Sequence, residues 1–261
     1  MIGQGYNTNL SKAQGIVPET VELLEIWEPG MESLDLKKKV HASGALAKET
    51  TTRVSDIVTR GFAQRYLIKG DSPAKWLKEL LRLGINSSAF RQILLIHTAR
   101  HNPIFHDFVS STYWRLAAGM SGEIEVKDTR AFLEEAASDG RIQPRWADSM
   151  MVRVGRYLMG TLEDFQLIEK NRGSHRKIRP PVIFQETVRY LAADLHFSNT
   201  DDSSIPAHPD WQLFGLTPQD VLRELEKAAT PNLMIVQNGG HFVRIEWSSE
   251  SMEEALNAIA H

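Results

Sequence analysis

Apolar residues recur every three or four positions through much of the first 120 residues, which is the period of an amphipathic helix. Pro18 opens the first such segment and Pro29 closes it, since proline suits the first turn of a helix but not its interior. The run from Thr51 to Tyr66 shows the pattern most regularly, and Asn102-Pro103 separates two later helices. The sequence therefore predicts an all-helical bundle in residues 1–120.

The pattern changes after residue 120. Residues 123–126 predict a short strand, and Asp128 caps a helix through about Ala137. A second helix, from about Arg145 to Met159, precedes an apolar segment at residues 165–168. A turn containing Gly173 and an extended stretch ending at Pro181 follow, which together predict a β-hairpin. A helix pair followed by a hairpin is the order of a winged helix. We therefore expect a winged-helix-like unit in residues 121–198.

The remaining residues, 199–261, predict a small α/β tail. Its first part, NTDDSSIPAHP, is typical of a polar linker. Thr217-Pro218 then opens a helix, and Asn238-Gly239-Gly240 predicts the turn of a second β-hairpin. Ser251 with Glu254 three residues later is the capping pattern of a last helix. The fold class predicted for the whole chain is mainly α.

Composition narrows the classes of protein to consider. Among the 261 residues there is no cysteine, which rules out disulfides, thiolate zinc sites and a cysteine nucleophile, and favours a cytoplasmic location. The first residues lack the basic and apolar regions of a signal peptide, and the chain lacks an uncharged apolar run of about 18 residues. We therefore expect neither secretion nor insertion into a membrane.

Charge is distributed unevenly along the chain. The net charge of −3 by itself argues weakly against a nucleic-acid partner. Residues 141–179, however, contain nine Lys and Arg against four Asp and Glu, whereas residues 201–261 contain three against ten. Since binding depends on local charge and not on the total, the basic middle of the chain is a candidate surface for phosphate contact.

Two sets of cations carry this hypothesis. The first lies on the predicted hairpin and the helix before it, and it comprises Arg145, Arg153, Arg156, Lys170, Arg172, His175, Arg176, Lys177 and Arg179. The second lies in the amino-terminal bundle and comprises Lys37, Lys38, Lys39, Arg53, Arg60 and Arg65. Cations on a protruding loop or helix face can neutralise phosphates without reading base sequence. The alternative in both cases is a solvated charged surface without a partner.

Metal and catalytic motifs receive little support. His97 and His101 are four residues apart, as in some zinc sites, but HTARH lacks the glutamate of a metalloprotease helix and Asn102-Pro103 should turn His106 away. Asp201-Asp202 lacks further ligands at calcium-loop spacing. The chain also lacks a phosphate-binding glycine loop, a nucleophile elbow and a dinucleotide fingerprint. We expect a protein that works by binding, without enzymatic activity, metal or cofactor.

Several segments resemble the BrxA family of the bacteriophage exclusion (BREX) gene clusters of bacteria. They are PETVELLEIW, TTTRVSDIVTRGFAQRYL, QILLIHTARHNPIFHDFV and AFLEEAASDGRIQPRWADSMMVRVGRYLMGTLEDFQLIEKN, and the resemblance extends over about residues 6–195. It implies a helical bundle similar to the antitermination factor NusB, binding to double-stranded DNA and contact with other BREX proteins. Two alternatives stay open: a protein-interaction scaffold whose acidic tail docks a basic partner, and an RNA-binding bundle.

Overall fold

The chain folds mainly into α-helices, as the hydrophobic pattern predicts. The computed structural model describes residues 5–171, 173–239 and 243–261. They form two compact units. The first contains the described residues up to Asp71 together with His97–Pro181, and the second contains Ser72–Ile96 and Val182–His261. Each unit thus combines segments that are distant in sequence, whereas the sequence pattern predicts boundaries at residues 120 and 198.

The helices follow one another closely along the chain. They are α1 (Val17–Ile26), α2 (Ser33–Ser43), α3 (Thr51–Asp56, a π-helical turn at Ile57–Phe62, then Ala63–Tyr66), α4 (Ser72–Arg82), α5 (Ser87–His101), α6 (Pro103–Asp107, a π-helical turn at Phe108–Tyr113, then Trp114–Ala117), α7 (Val126–Ser138), α8 (Asp148–Asp164), α9 (Gln185–Phe197), α10 (Pro218–Ala228) and α11 (Met252–Ala260). Within the described part of the chain, none of them is both long and apolar enough to cross a membrane.

In the first unit, the segment before α1 is held between α3 and α8. Thr50 caps α3 by accepting a hydrogen bond from the backbone N–H of Arg53 at 3.2 Å. Gly61 of α3 lies so close to this segment that a Cβ there would be 2.7 Å from the Cβ of Ala13. On the other side, the backbone N–H of Gly15 donates to Oδ2 of Asp164 at 2.8 Å. The close approach at Gly61 requires a residue without a side chain.

The strands of the first unit connect residues that are about 50 positions apart. Strand β1 (Glu123–Glu125) pairs antiparallel with β2 (His175–Lys177), with Ile124 opposite Arg176. The arms of the predicted hairpin also pair antiparallel, over a short stretch: Ile168 bridges Ile178, and the backbone N–H groups of Glu169 and Arg179 donate to the carbonyls of Lys177 and Leu167 at 2.9 and 2.8 Å. The two arms within residues 165–181 therefore pair as the hairpin prediction requires, the partnership of β2 with β1 was not predicted, and the winged-helix assignment stays a prediction.

In the second unit, α9 packs against α10 and α11, and α4 packs against α11. Strands β3 (Met234–Asn238) and β4 (Val243–Trp247) form an antiparallel pair, as the hairpin prediction requires, although Gly240 of its predicted turn lies outside the described residues. Thr217 and Asp220 form a capping box at the start of α10. These contacts give the second unit a core of its own.

The segment predicted as a polar linker is folded. It forms 3₁₀-helical turns at Asp202–Ala207 and Pro209–Phe214. Ile205 and Trp211 are buried in them, and Nε1 of Trp211 donates to the carbonyl of Ile205 at 2.8 Å. The linker prediction was wrong because burying two large apolar side chains outweighs the polar character of the residues between them.

Candidate nucleic-acid interface

Two of the predicted phosphate contacts, Arg153 and Arg156, lie on the exposed face of α8. This helix is amphipathic: Met151, Val154 and Leu158 are buried, whereas both arginines are exposed. Nη2 of Arg153 lies 3.3 Å from the thioether of Met150, and neither arginine forms an ion pair within the described residues. Their charges are therefore available to an anionic partner.

Arg145 has a different environment. It precedes α8 and is not part of the helix, and its guanidinium forms ion pairs with Glu134 at 2.8 Å and with Asp148 at 3.4 Å. Its pKa is raised above the usual value chiefly by the hydrogen bond to Glu134. Arg145 thus remains charged, but that charge is already balanced by carboxylates on α7 and α8.

The cations of the predicted hairpin are balanced in the same way by acids from elsewhere in the unit. Arg176 is ion-paired with Glu163 at the end of α8, and Nζ of Lys170 lies 3.8 Å from the same carboxylate. Arg179 is ion-paired with Glu169 at 2.9 Å. Although Lys170 and Arg179 are exposed, a phosphate would have to compete with these carboxylates.

Strand β1 places two more acids beside the hairpin. Glu123 is directly opposite Lys177 in the register, and Nδ1 of His175 lies 3.3 Å from Glu125. A hydrogen bond from Lys127 lowers the pKa of Glu125, which keeps this carboxylate charged. Lys177 is exposed and forms no ion pair of 4 Å or less with any described residue. Among the described hairpin cations, it alone is both exposed and without an ion pair.

Three of the nine predicted cations, Arg153, Arg156 and Lys177, therefore lie exposed and unpaired in the described part of the chain. Glu163 also belongs to this surface, although the sequence pattern does not indicate it, because its carboxylate lies against two cations of the hairpin, Lys170 and Arg176. Arg172 lies outside the described residues. The structure thus favours the exposed face of α8 over the hairpin as the main candidate surface.

The cations of the second predicted surface, in the amino-terminal bundle, do not share one environment. Lys38 and Lys39 are ion-paired with Asp35 at 2.9 Å and Glu28 at 2.5 Å, and Lys37 donates to Oγ of Ser55. Arg53 donates to the carbonyl of Lys12 at 2.7 Å. Arg60 is exposed and forms no ion pair among the described residues, so it alone of this set resembles Arg153 and Arg156.

Arg65 is not part of any surface, and its prediction as a phosphate contact is corrected. Its side chain is buried, and its guanidinium donates to the backbone carbonyls of Ala13, Gln14 (2.7 Å) and Gly15 (3.4 Å) and to Oγ1 of Thr98 (3.2 Å). Burial lowers the pKa of this guanidinium. Residues 13–15 have no regular secondary structure, so their carbonyls need hydrogen-bond donors from elsewhere in the chain. The inward-directed guanidinium of Arg65 supplies these donors.

The three histidines weighed as metal ligands have separate surroundings. The ring of His97 contacts Tyr66 edge-on, with centroids 5.6 Å apart. His106 is buried beside Asp107, 3.5 Å away, and burial lowers the pKa of His101. Among the described residues, no group of three or more histidine, aspartate or glutamate side chains is arranged to hold a metal ion.

The segments that resemble the BrxA family were compared with models of known protein families. The model of the BrxA family matches residues 4–194, which is well over half of the chain. The chain belongs to the BrxA family. Membership makes it a BREX defence-associated protein. None of the curated proteins searched matches it.

One solved structure is similar to this BrxA-family chain. It is the crystal structure of an uncharacterized protein from Magnetospirillum magneticum, with a TM-score of 0.58 and 15% sequence identity. The similarity covers 73% of this chain and 94% of the other. At this identity the comparison supports a shared fold alone, so what the surface of α8 binds has to be argued from its chemistry.

Proposed function

We propose that this BrxA-family protein is a non-enzymatic, double-stranded-DNA-binding component of a BREX defence system. The observation that carries the proposal is the pair of exposed arginines on α8, Arg153 and Arg156, whose charges are not balanced by any described carboxylate. Lys177 adds a third such charge on β2. Contacts of this kind attract the phosphate backbone and are independent of base sequence.

Cations that are already ion-paired contribute less to this binding. To contact a phosphate, Arg176 must divide its charge between the phosphate and Glu163, or break its ion pair with Glu163. The contact therefore neutralises less of the phosphate charge and releases fewer counterions from the DNA. We therefore expect the dependence of affinity on salt to reflect the unpaired cations most strongly. The salt dependence of the affinity can therefore distinguish DNA binding by the α8 face from DNA binding by the hairpin.

The test is a fluorescence-anisotropy titration of a labelled duplex at several salt concentrations. Each phosphate neutralised on duplex DNA contributes about 0.9 to the slope of log K against log salt. Changing Arg153 and Arg156 together to Ala should therefore lower the magnitude of the slope by about 1.8. The single variant Arg176→Ala should change it by less than about 0.9, because its charge is already compensated by Glu163.

A matched control removes two exposed arginines from helices of the second unit. Arg82 and Arg223 are ion-paired with Glu79 and Asp220, and their double change to Ala alters the net charge by the same amount. It should leave the slope unchanged. A folded Arg153/Arg156 double variant with an unchanged slope would exclude the α8 face. Stronger binding of a duplex RNA than of the DNA would favour the RNA-binding alternative.

A further inference from the structure

The second unit contains a cluster of aromatic rings joined by one carboxylate. The ring of His196, near the end of α9, is stacked on Trp247 of β4, with centroids 4.5 Å apart and planes 16° from parallel. Phe197 contacts both rings, at 4.8 Å and 5.9 Å. Asp202 accepts from Nδ1 of His196 at 2.7 Å and from Nε1 of Trp247 at 3.3 Å. These hydrogen bonds fix the orientation of both rings.

The cluster is accessible to solvent. The side chains of His196 and Asp202 are 30% and 28% exposed, and Phe197 and Trp247 are half-buried. Half-exposed aromatic side chains that are already held in place lose little conformational entropy when a partner packs against them. Tryptophan is also among the residues that contribute most to binding at protein interfaces.

The segment that carries Asp202 and Trp247 is acidic, which favours a cationic occupant. Residues 201–261 contain ten acids and three cations, Arg223, Lys227 and Arg244, and each of these cations is ion-paired with an acid of the same segment. Asp201, next to Asp202, is exposed, and hydrogen bonds from Ser203 lower its pKa and keep it charged. A single-stranded nucleic acid could stack on the rings, but its phosphates would be repelled by this acidic segment.

We propose that His196, Phe197, Asp202 and Trp247 form a docking site for an arginine-rich segment of a partner protein. A guanidinium is planar, stacks on aromatic rings and donates in pairs to carboxylates, whereas the lysine ammonium is a strongly hydrated point charge. The site therefore distinguishes arginine from lysine at equal charge. It is independent of DNA binding by α8, so the two proposals succeed or fail separately.

The test is isothermal titration calorimetry of the full chain with three probes: acetylated octa-arginine, acetylated octa-lysine and an eight-nucleotide oligothymidine. We expect octa-arginine to bind about tenfold more tightly than octa-lysine. Asp202→Asn, which keeps the shape of the side chain, and Trp247→Leu should each weaken octa-arginine binding about tenfold. The control Glu250→Gln removes one exposed charge three residues from Trp247. It should change the affinity for octa-arginine less than about twofold.

Three outcomes would overturn the proposal. Equal affinity for octa-arginine and octa-lysine would show that the negative charge of the segment alone attracts the peptides. An equal loss of octa-arginine affinity in Asp202→Asn and Glu250→Gln would show the same. Tighter binding of oligothymidine than of octa-arginine would assign the rings to nucleic acid. If Trp247→Leu does not fold, which circular dichroism would show, the comparison of Asp202→Asn with Glu250→Gln decides alone.

Discussion

Replacing Arg65 with methionine tests whether this cation is a structural clamp or a phosphate contact. Methionine fills much of the same volume but cannot donate to the carbonyls of residues 13–15, which Arg65 now satisfies. Each buried carbonyl left without a donor costs about 1–3 kcal/mol, which gives roughly 3–9 kcal/mol for three. Removing this buried charge, which forms no ion pair with a described carboxylate, offsets several kcal/mol of that cost.

The net effect should be a loss of about 2–4 kcal/mol in the free energy of unfolding, or a fall of about 5–15 °C in the melting temperature for a chain of this length. Thermal unfolding followed by circular dichroism measures it. The matched control is Arg60→Met on the same helix, where the side chain is exposed and the change should stay within about 0.5 kcal/mol.

The same variant also tests the correction of the binding surface. Because the guanidinium of Arg65 is buried, Arg65→Met should leave the salt slope of DNA binding unchanged while the protein is folded. If Arg65→Met were as stable as Arg60→Met, the hydrogen bonds to residues 13–15 would not stabilise the fold. A reduced slope in a folded variant would return Arg65 to the phosphate contacts.

Asp164 and Gly61 provide two further tests of the same segment. Desolvation by neighbouring protein atoms raises the pKa of Asp164 to about 6, although part of its surface reaches solvent, so the folded state binds this proton more tightly than the unfolded state. The stability of the wild type relative to Asp164→Asn should therefore rise, by about 1 kcal/mol after screening, as the pH falls from 7 through 6 towards 4, and pH-dependent urea unfolding should show it. A pH-independent difference would contradict the shift. Gly61→Ala should destabilise the protein by about 1–3 kcal/mol, since the new methyl meets the fixed Cβ of Ala13. Gly160→Ala on α8 meets only the flexible amide of Gln14 and should be neutral or slightly stabilising in the same assay. Equal changes in the free energy of unfolding for Gly61→Ala and Gly160→Ala would refute the close packing of Gly61 against Ala13.

Local signals predict the helices well, because their start and stop residues act over one or two turns. Pro18 lies in the first turn of α1 and Ser251 caps α11, as the sequence indicates. The pairing of β2 depends on β1, about 50 residues earlier, and local pattern carries no information about such a partner. The pattern therefore predicts the antiparallel arms of residues 165–181 but not the additional strand β1.

The candidate site was predicted in part. The helical period places Arg153 and Arg156 on the face opposite Val154 and Leu158, and the structure exposes them. The acids that balance the hairpin could not be assigned, since Glu163 meets Arg176 only once α8 and β2 are packed. Likewise, nothing local distinguishes the buried Arg65 from the exposed Arg60, because the difference arises from the segment that packs on α3.

The interleaving of the two units along the chain has a consequence for biosynthesis. Helix α4 belongs to the second unit, yet its packing partner α11 follows much later in the chain, and the hydrogen bond from Trp76 to Glu253 closes a loop of 177 residues. During translation, the apolar face of α4, with Leu77 and Leu80, therefore leaves the ribosome long before its partner exists. The second unit can fold only after α11 has been synthesised, and a chain shortened at residue 120 or 198 leaves α4 without α11.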